Sequence, residues 1–361
     1  MSEDVYYTLA QALNTLPNGF PSTESGVEIR ILKKIFRPQD ATLFCDLRLE
    51  FETARQIAER TGRPIDGLED HLIEMGKRGQ VFGINIGGIH MFKMVPWAFG
   101  IYEFQVAHLD RELAEMCEEY GKVFGAQFFK TRPQLMHVIP VEKEIPNKQQ
   151  SLHYEQVSNI IESSLSFSVF DCICKKKKHL LGHGCDKPLE ICMAYAPIPG
   201  VFDKIPHHRP VSKEEAYALL DKAEEAGLVH LTWNMESDHF FICNCCGCCC
   251  EVLSAINELG INAADVINSY YYAKIDADQC VACGTCRDER CQVNAIEEGD
   301  DAYEIVREKC IGCGLCISTC PSEAISMVRK SPEEIVLPPS NEMDWFEKRA
   351  MARGVDIGKY R

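Results

Sequence analysis

The sequence lacks any apolar run approaching the roughly 20 residues that a membrane-spanning helix needs. Its first residues, MSEDVYYTLAQALNTLPNGF, lack the basic flank and the apolar stretch of a signal peptide. A glycine-rich phosphate loop, a nucleophile elbow and paired catalytic carboxylates are missing as well. These absences predict a cytoplasmic protein with no membrane span and no recognisable catalytic motif.

Basic residues are also scarce. The chain has 38 lysines and arginines against 54 aspartates and glutamates, which gives a formal net charge of −16. Because nucleic-acid binding relies on neutralising phosphates, this balance argues against it. The one basic run is CKKKKH, residues 174–179. We interpret it as a solvated loop; the alternative is a docking patch for an acidic redox partner or a nucleotide-bearing cofactor.

Cysteine, by contrast, is abundant, with 20 thiols in 361 residues. Disulfide-rich chains are usually short and secreted, whereas a cytosolic chain keeps its thiols reduced. Clustered cysteines in a reducing compartment therefore indicate metal or iron–sulfur ligation, and exposed clusters of that kind favour an anaerobe. Cys45 and Cys117 stand alone on apolar patterns, so we expect both to be buried structural thiols.

The length allows two or three domains, and the composition is that of a folded protein, with 46% hydrophobic and 25% charged residues. We predict a multidomain α+β fold. The expected parts are a helical, winged-helix-like docking module, a cysteine-rich mixed α/β domain, a two-cluster ferredoxin-like domain and a C-terminal tail. Their expected bounds are 1–140, 141–271, 272–330 and 331–361.

Residues 40–95 predict helix, turn, helix and then a β-hairpin that turns at Gly87–Gly88. This order resembles a winged-helix module, whose usual function is DNA binding. Asp66 and Glu69 resemble a capping box for the second helix. That helix would expose acidic residues where base-reading helices present Arg, Lys, Asn or Gln. We therefore expect protein docking or scaffolding instead of DNA contact.

Other segments carry weaker patterns. Residues 110–129 predict a helix, and residues 136–150 look like a connector. Ser212 is expected to cap a helix that ends at Gly227. The last 20 residues, 342–361, predict a short amphipathic helix with a tail that serves for docking.

Two runs in the C-terminal third carry the strongest signal. They read CVACGTCRDERCQVNAI and CIGCGLCISTCPSEAI, and both end in an Ala-Ile pair. Three thiolates at i, i+3 and i+6 on a tight loop can surround one cube, and small glycines let the backbone approach the sulfides. The fourth cysteine of each run lies too far along the chain to close the same cube.

These runs resemble the two-cluster bacterial ferredoxins over roughly residues 272–330. The resemblance implies a pseudo-symmetric unit that holds two [4Fe–4S] clusters. By that likeness, one cluster is bound by Cys280, Cys283, Cys286 and Cys320, and the other by Cys310, Cys313, Cys316 and Cys291. The first run departs from the family, because an extra residue precedes Cys291 and Gln292 replaces the usual proline. Zinc is the alternative occupant.

A second group of ten cysteines occupies the middle of the chain. FICNCCGCCCEVL, residues 241–253, has six of them in eight positions, and adjacent side chains point to different sides of a strand or helix. The six therefore cannot all reach one metal, so two centres share the segment or some thiols are spectators. We expect one or two further [4Fe–4S] clusters, or zinc. The candidates are Cys172, Cys174, Cys185, Cys192, Cys243, Cys245, Cys246, Cys248, Cys249 and Cys250.

Cys245-Cys246-Gly247, followed by Cys280 and Cys283, is similar to the Cys-Cys-Gly motif of heterodisulfide reductases. That family uses such motifs for non-cubane clusters and disulfide reduction. Here Cys280 and Cys283 already belong to a ferredoxin-type run, which argues against that use.

Taken together, the motifs predict an electron-transfer protein that relays single electrons through three or four clusters. The whole layout resembles multi-cluster subunits of anaerobic oxidoreductase complexes, which implies protein redox partners. One alternative is an iron–sulfur redox sensor that regulates transcription through the winged helix. Another is a reductase whose middle cluster binds substrate directly, and a pocket beside Cys245–Cys250 would favour it.

Overall fold

The computed structural model describes residues 2–146, 155–203, 205 and 207–361. These residues form a mixture of helices and strands in several domains, as the sequence predicts. In these ranges, none of the helices combines the length and the apolar character that a membrane crossing demands.

The N-terminal part is mainly helical and ends with a hairpin. The second helix of the predicted pair begins at Leu68 with Gly67 as its N-cap residue, and no side chain caps it, so the capping box expected from Asp66 and Glu69 is wrong. Glu69 instead pairs with His90 of the hairpin. The elements are α1 Ser2–Asn14, α2 Val27–Ile35, α3 Pro38–Phe44, α4 Ala54–Thr61, α5 Leu68–Lys77, β1 Phe82–Ile86, β2 Ile89–Lys93, α6 Tyr102–Phe104 and α7 Arg111–Phe128.

The hairpin turns at Gly87–Gly88, as predicted. Both glycines have positive φ angles, 61° and 88°, which residues with a Cβ atom rarely adopt. Glu52 bridges to Phe92 of β2, which ties the hairpin to the start of α4. The helix–turn–helix and hairpin are thus present, while the assignment of this arrangement as a winged helix stays a prediction.

The middle of the chain folds around a seven-stranded sheet with the order β6-β4-β5-β8-β7-β3-β9. Neighbouring strands are antiparallel except β3 and β9. The elements are β3 Met136–Ile139, α8 Val157–Glu162, β4 Ser166–Asp171, α9 Ile173–Leu180, β5 Glu190–Ala196, β6 Arg209–Val211, α10 Lys213–Glu225, β7 Val229–Trp233, β8 Phe241–Cys245, α11 Glu251–Asn257, α12 Ala263–Val266 and β9 Ile267–Asn268.

Strand β3 corrects one expectation. The segment 136–150 was predicted as a connector, but Met136–Ile139 is a fully buried strand inside the sheet. The four residues are too few to show a clear period, and only pairing with β7 and β9 reveals the strand. Residues 147–150 of the predicted connector lie outside the described ranges.

The C-terminal third has two small antiparallel sheets and a last helix. They are formed by β10 Tyr271–Ile275 with β13 Ile325–Arg329, and by β11 Ile296–Glu298 with β12 Tyr303–Ile305; the helix is α13 Glu342–Arg353. Helix α13 packs on the sheet through one face, and the expectation that it serves for docking stays a prediction. Its Trp345 packs against Trp233 of β7 with ring centroids 5.4 Å apart, and buried Arg349 donates to the Thr131 and Pro133 carbonyls.

Candidate iron–sulfur and metal sites

The segment from β8 to α11 sends its cysteines to two sides. Cys243 and Cys245 lie two residues apart on β8 and therefore share one face of the strand. A turn follows, and Cys250 then stands at the N-cap of α11. The remaining three thiols of the segment belong to the turn. The expectation that six neighbouring thiols do not converge on one centre agrees with this geometry.

One set of thiols is compact, and we call it the four-thiol set. Cys185 Sγ lies 4.0 Å from Cys246 Sγ and 3.6 Å from Cys249 Sγ. Cys249 Sγ is 3.8 Å from Cys248 Sγ. Among the described residues, it is the one group of possible metal ligands whose donor atoms all lie within 4.8 Å of one another. It comprises Cys185, Cys246, Cys248 and Cys249.

These distances bear on the kind of metal. Because Zn–S bonds are about 2.3 Å long, the sulfurs of a tetrahedral zinc site stand about 3.8 Å apart. Each thiolate of a cubane binds a different iron, so cubane ligands stand farther apart. Hydrogen bonding from Cys249 lowers the pKa of Cys246 to about 5, which favours a thiolate here at neutral pH. The four-thiol set therefore fits one zinc ion better than a cubane.

The other six middle cysteines line one small cavity together, and we call them the six-thiol ring. Its members are Cys172, Cys174, Cys192, Cys243, Cys245 and Cys250. These thiols act on one another electrostatically; Cys174 and Cys245, for example, raise the pKa of Cys250.

Sheet register brings the ring together. Met193 pairs with Ile242 in the antiparallel β5–β8 ladder, so Cys192 lies opposite Cys243. Cys172 is the N-cap of α9, directly after β4, which runs beside β5. Two adjacent strands and the two helix starts that follow β4 and β8 thus supply all six thiols.

The lysine run corrects a second expectation. Residues 174–179 were predicted as a solvated loop, yet they lie in helix α9. Lys175 is 0% exposed, and its Nζ donates to the Asn244 carbonyl at 3.2 Å. Burial lowers the pKa of Lys175, but the negative charge of Cys172, Cys192, Cys246 and Cys245 outweighs that effect and raises it. A buried cation thus stands between the two thiol groups.

A second buried lysine is neutralised by carboxylates. Lys177 forms ion pairs with Glu118 of α7, at 2.6 Å, and with Glu251 of α11. Burial raises the pKa of Glu118, yet hydrogen bonds from Lys177 and Lys178 prevail and lower it to about 2. This network joins three helices behind the six-thiol ring. Sequence reasoning missed it because its carboxylates lie about 60 and 70 residues away in the chain.

The C-terminal runs form two matched sites. Cys280, Cys283, Cys286 and Cys320 line one small cavity together. Burial raises the pKa of Cys316, as does the negative charge of the thiols around it, chiefly Cys313, Cys310 and Cys291. Cys320 thus lies beside the first three cysteines of the other run, and the assignment of all eight thiols as cluster ligands stays a prediction.

Backbone geometry repeats between these two sites. Gly312 approaches the backbone so closely that a Cβ atom would lie 2.2 Å from the Tyr271 carbonyl oxygen. Backbone N–H groups point at the sulfurs, since Ala273 donates to Cys310 and Ala295 to Cys291. Such donors stabilise the negative charge of a bound cluster. Positive φ angles recur at matched positions, namely Ala282 and Gly312, Gly284 and Gly314, and Asn294 and Glu323.

The structure explains both departures of the first run. The extra residue before Cys291 is absorbed by a π-helical turn, Cys286–Arg290, in which the Cys291 N–H donates to the Cys286 carbonyl at 3.0 Å. Gln292 accepts a hydrogen bond from the Gly247 N–H at 2.8 Å through its Oε1. Proline cannot make this contact. Gln292 thereby joins the second ferredoxin-type site to the turn that carries the four-thiol set.

Two cavities adjoin the six-thiol ring. The smaller, about 100 Å³, is lined by all six ring cysteines and by aromatic residues such as Trp97, Tyr102 and Phe124. The larger, about 570 Å³, has a mainly apolar lining that includes several phenylalanines, and Cys243 lines both. Glu103 also borders both; burial raises its pKa to about 8, despite a hydrogen bond from the Gly100 N–H.

The two isolated cysteines remain outside both thiol groups. Cys117 is buried in α7, and burial raises its pKa well above the usual range. Cys45 is partly buried, and burial raises its pKa to about 11. Both are inert thiols at neutral pH.

Comparison with known proteins confirms the C-terminal segment as an iron–sulfur unit. Residues 273–327 match the family model of the 4Fe-4S dicluster domain. An uncharacterised ferredoxin of Methanocaldococcus jannaschii is 36% identical over 91 residues, 25% of this chain and 53% of that protein, so the match spans about half of that relative. A 7Fe ferredoxin of Hydrogenibacillus schlegelii is 40% identical over 60 residues, 17% of this chain and 77% of that protein.

A pyruvate synthase subunit of Methanothermobacter marburgensis is 36% identical over 58 residues, 16% of this chain and 64% of that subunit. No solved structure matches the chain significantly. The chain belongs to the ferredoxin family through this dicluster segment.

Proposed function

We propose that the chain is an electron-transfer protein of an anaerobe, whose eight C-terminal cysteines hold two [4Fe–4S] clusters. A bound cluster of this kind takes up and releases one electron, at a potential set by hydrogen bonds to sulfur, charge and solvent exposure. The observation that supports the proposal is the dicluster match together with two complete, pseudo-symmetric four-cysteine sites. The cytoplasm is the proposed location, since all 20 cysteines are free thiols.

The two sites differ in exposure, which suggests a direction. Cys283 is exposed, and neighbouring Val281 is 64% exposed. The second site faces inward, because the Cys313 carbonyl accepts a hydrogen bond from Val141. We propose that an external redox protein docks beside Cys283. Exposed Asp278 and Asp288 give this face an acidic character that suits a basic partner surface.

Larger oxidoreductase complexes are the partners that we propose. Support comes from the similarity to a named pyruvate synthase subunit, which covers only the ferredoxin segment. The N-terminal helices and hairpin would serve docking or scaffolding in a winged-helix-like arrangement. Exposed Asp66, Asp70 and Glu74 support this role and disfavour transcriptional regulation, because acidic groups repel phosphates.

For the middle of the chain we propose one zinc ion in the four-thiol set and a redox centre in the six-thiol ring. The zinc would fix the turn between β8 and α11. The sulfur–sulfur distances of 3.6 to 4.0 Å support this division.

Anaerobic purification followed by iron, acid-labile sulfide and zinc analysis tests the proposal. We expect eight irons from the two cubanes, further iron from the centre in the six-thiol ring, and one zinc. Replacing Cys248 with serine should remove zinc and leave the iron content unchanged. A colourless preparation without labile sulfide would refute the electron-transfer function.

A second candidate function, reduction of a bound small molecule, is favoured by the cavity of about 570 Å³ beside Cys243. That volume is within the usual range of ligand pockets, and the phenylalanines of the mainly apolar lining suit a planar apolar compound. Binding of a planar apolar dye, followed by fluorescence, tests whether the cavity takes ligands. Val201→Trp, at a half-buried position of its lining, should abolish binding; unchanged dye affinity would argue against this function.

A further inference from the structure

Cys291, the thiol that the first run is expected to contribute to the second ferredoxin-type site, lies between two residues that bind the middle of the chain. Arg290 precedes it and is only 8% exposed. Its guanidinium donates to the carbonyls of Glu224 and Glu225, at 2.9 and 3.1 Å, at the C-terminal end of α10. Carbonyls at a helix C-terminus carry partial negative charge, which a guanidinium complements. The segment is therefore fixed to α10 on one side of Cys291.

On the other side of Cys291, Gln292 contacts the turn that carries the four-thiol set. Its Oε1 accepts a hydrogen bond at 2.8 Å from the N–H of Gly247, which lies between Cys246 and Cys248. A Cβ atom on Gly247 would lie 2.3 Å from the Gln292 carbonyl oxygen. The φ angle of Gly247 is not positive, so this close approach explains the glycine and the backbone conformation does not.

Asn257, the last residue of α11, holds the same two residues together. Its Nδ2 donates to the Gln292 carbonyl at 3.0 Å and to the Gly247 carbonyl at 3.4 Å. Because both neighbours are acceptors, they require the amide nitrogen and fix the orientation of the side chain. Three hydrogen bonds thus connect the residue that follows Cys291 to the turn between two thiols of the four-thiol set.

We infer that Gln292 and Asn257 are positioning residues for the second ferredoxin-type site, which act through Gly247, and that a zinc ion in the four-thiol set holds this contact in place. Zinc bound to the thiols on both sides of Gly247 fixes the backbone between them. The contact in turn keeps the Cys291 loop packed against protein. The inference rests on the proposed clusters and zinc, and it adds how one site acts on the other.

Loss of the contact has an electrostatic consequence with a definite sign. Reduction adds one negative charge to a cluster, and its potential depends on solvent exposure. If the Cys291 loop separates from the turn, water reaches it and stabilises the added charge. The potential of the cluster in the second site should then become less negative. The cluster in the other ferredoxin-type site should keep its potential.

Two substitutions in the full chain test these roles. Gln292→Ala removes the acceptor of the Gly247 N–H, and Asn257→Leu removes both amide donations with a side chain of similar size. Both leave the Arg290 contacts in place. Anaerobic redox titration followed by EPR should show a less negative potential for the second cluster alone. No shift, or equal shifts of both clusters, would overturn the inference.

A matched control lies in the first ferredoxin-type site, that of Cys280 and Cys283. Gln279 directly precedes Cys280, and its exposed side chain donates to Asp276 at 3.1 Å. Gln279→Ala removes the same kind of amide from a position equally close to a cluster and should leave both potentials unchanged. Cys283→Ser changes only the first site and thereby assigns the two EPR signals.

Zinc removal from the wild-type chain supplies a measurement that does not depend on the folding of variants. Cys248 is exposed, so a chelator can reach the four-thiol set. Zinc loss should shift the second cluster in the same direction, and it should cause no further shift in Gln292→Ala, because the contact is already lost. A wild-type chain without zinc, or zinc loss without a shift, overturns the inference and leaves the proposed electron transfer standing. Absence of both ferredoxin signals from untreated protein refutes that function as well.

Discussion

Removal of the buried Lys175 charge should lower the reduction potential of the redox centre that we propose for the six-thiol ring. Reduction adds one negative charge to the centre, and a nearby cation favours the reduced form. The Lys175 Nζ lies 3.2 Å from the carbonyl of Asn244, which separates Cys243 from Cys245. Lys175→Gln keeps a hydrogen-bond donor and removes the charge, so the potential should become more negative.

The magnitude follows from Coulomb's law. For a charge roughly 6 Å from the added electron and an effective dielectric constant of about 20, the interaction is about 3 kcal/mol. Since about 1.4 kcal/mol corresponds to 59 mV for one electron, the expected shift is on the order of 100 mV. Water cannot screen this charge, because Lys175 is fully buried.

An anaerobic redox titration monitored by EPR measures the shift, with the ferredoxin clusters as internal references. Lys176→Gln is the matched control: it removes the same charge one residue away, from a side chain that is 28% exposed and bonded to the Val106 carbonyl. Solvent screening should reduce the potential shift in this control to about a few tens of millivolts. Equal shifts in the two variants, or none in Lys175→Gln, would refute the electrostatic reasoning.

Three further predictions concern stability. Gln292→Ala removes the acceptor of the Gly247 N–H and should destabilise the chain by about 1 kcal/mol in denaturant titrations, while Gln292→Glu, which keeps an acceptor, should cost less. Burial raises the pKa of Glu103 to about 8 in the folded protein, from 4.5 in the unfolded chain. Between these two values the folded state keeps a proton that the unfolded state has released, so stability falls as the pH rises through this window. Glu103→Gln should therefore gain stability over wild type from pH 6 to pH 8, by at most about 1.4 kcal/mol per pH unit; a constant difference would contradict this. Asp40 is fully buried and bonded to three side chains, so Asp40→Asn should destabilise the chain by about 2 kcal/mol at pH 7. The exposed control, Asp70→Asn, should change stability by less than about 0.5 kcal/mol.

The ferredoxin segment could be predicted from sequence because its information is local. Three cysteines spaced by three residues, with glycines at positive φ, define each half-site within one loop. The hairpin at Gly87–Gly88 is local in the same sense, since the turn type requires those residues. Such features need no knowledge of the remaining chain.

The partition of the ten middle cysteines could not be predicted for the opposite reason. It depends on β5 lying beside β8, which places Cys192 opposite Cys243, about 50 residues away. The burial of Lys175 depends on the same pairing, so a run of four lysines was predicted as a solvated loop. A useful signal was present, because a lysine directly after a Cys-x-Cys step stands beside thiolates whenever that step binds metal.

Gln292 connects the ferredoxin segment to the cysteine-rich middle of the chain. A residue that departs from the ferredoxin pattern occupies the point where the second ferredoxin-type site meets Gly247, next to Cys246. Cys245, which directly precedes Cys246 in the chain, belongs to the six-thiol ring. A hydrogen bond and a few covalent bonds therefore connect the inward-facing site to the ring, while Cys283 of the other site is exposed. This arrangement supports the proposed direction of electron transfer, from the proposed docking face beside Cys283, through the two ferredoxin-type sites, to the six-thiol ring beside a cavity.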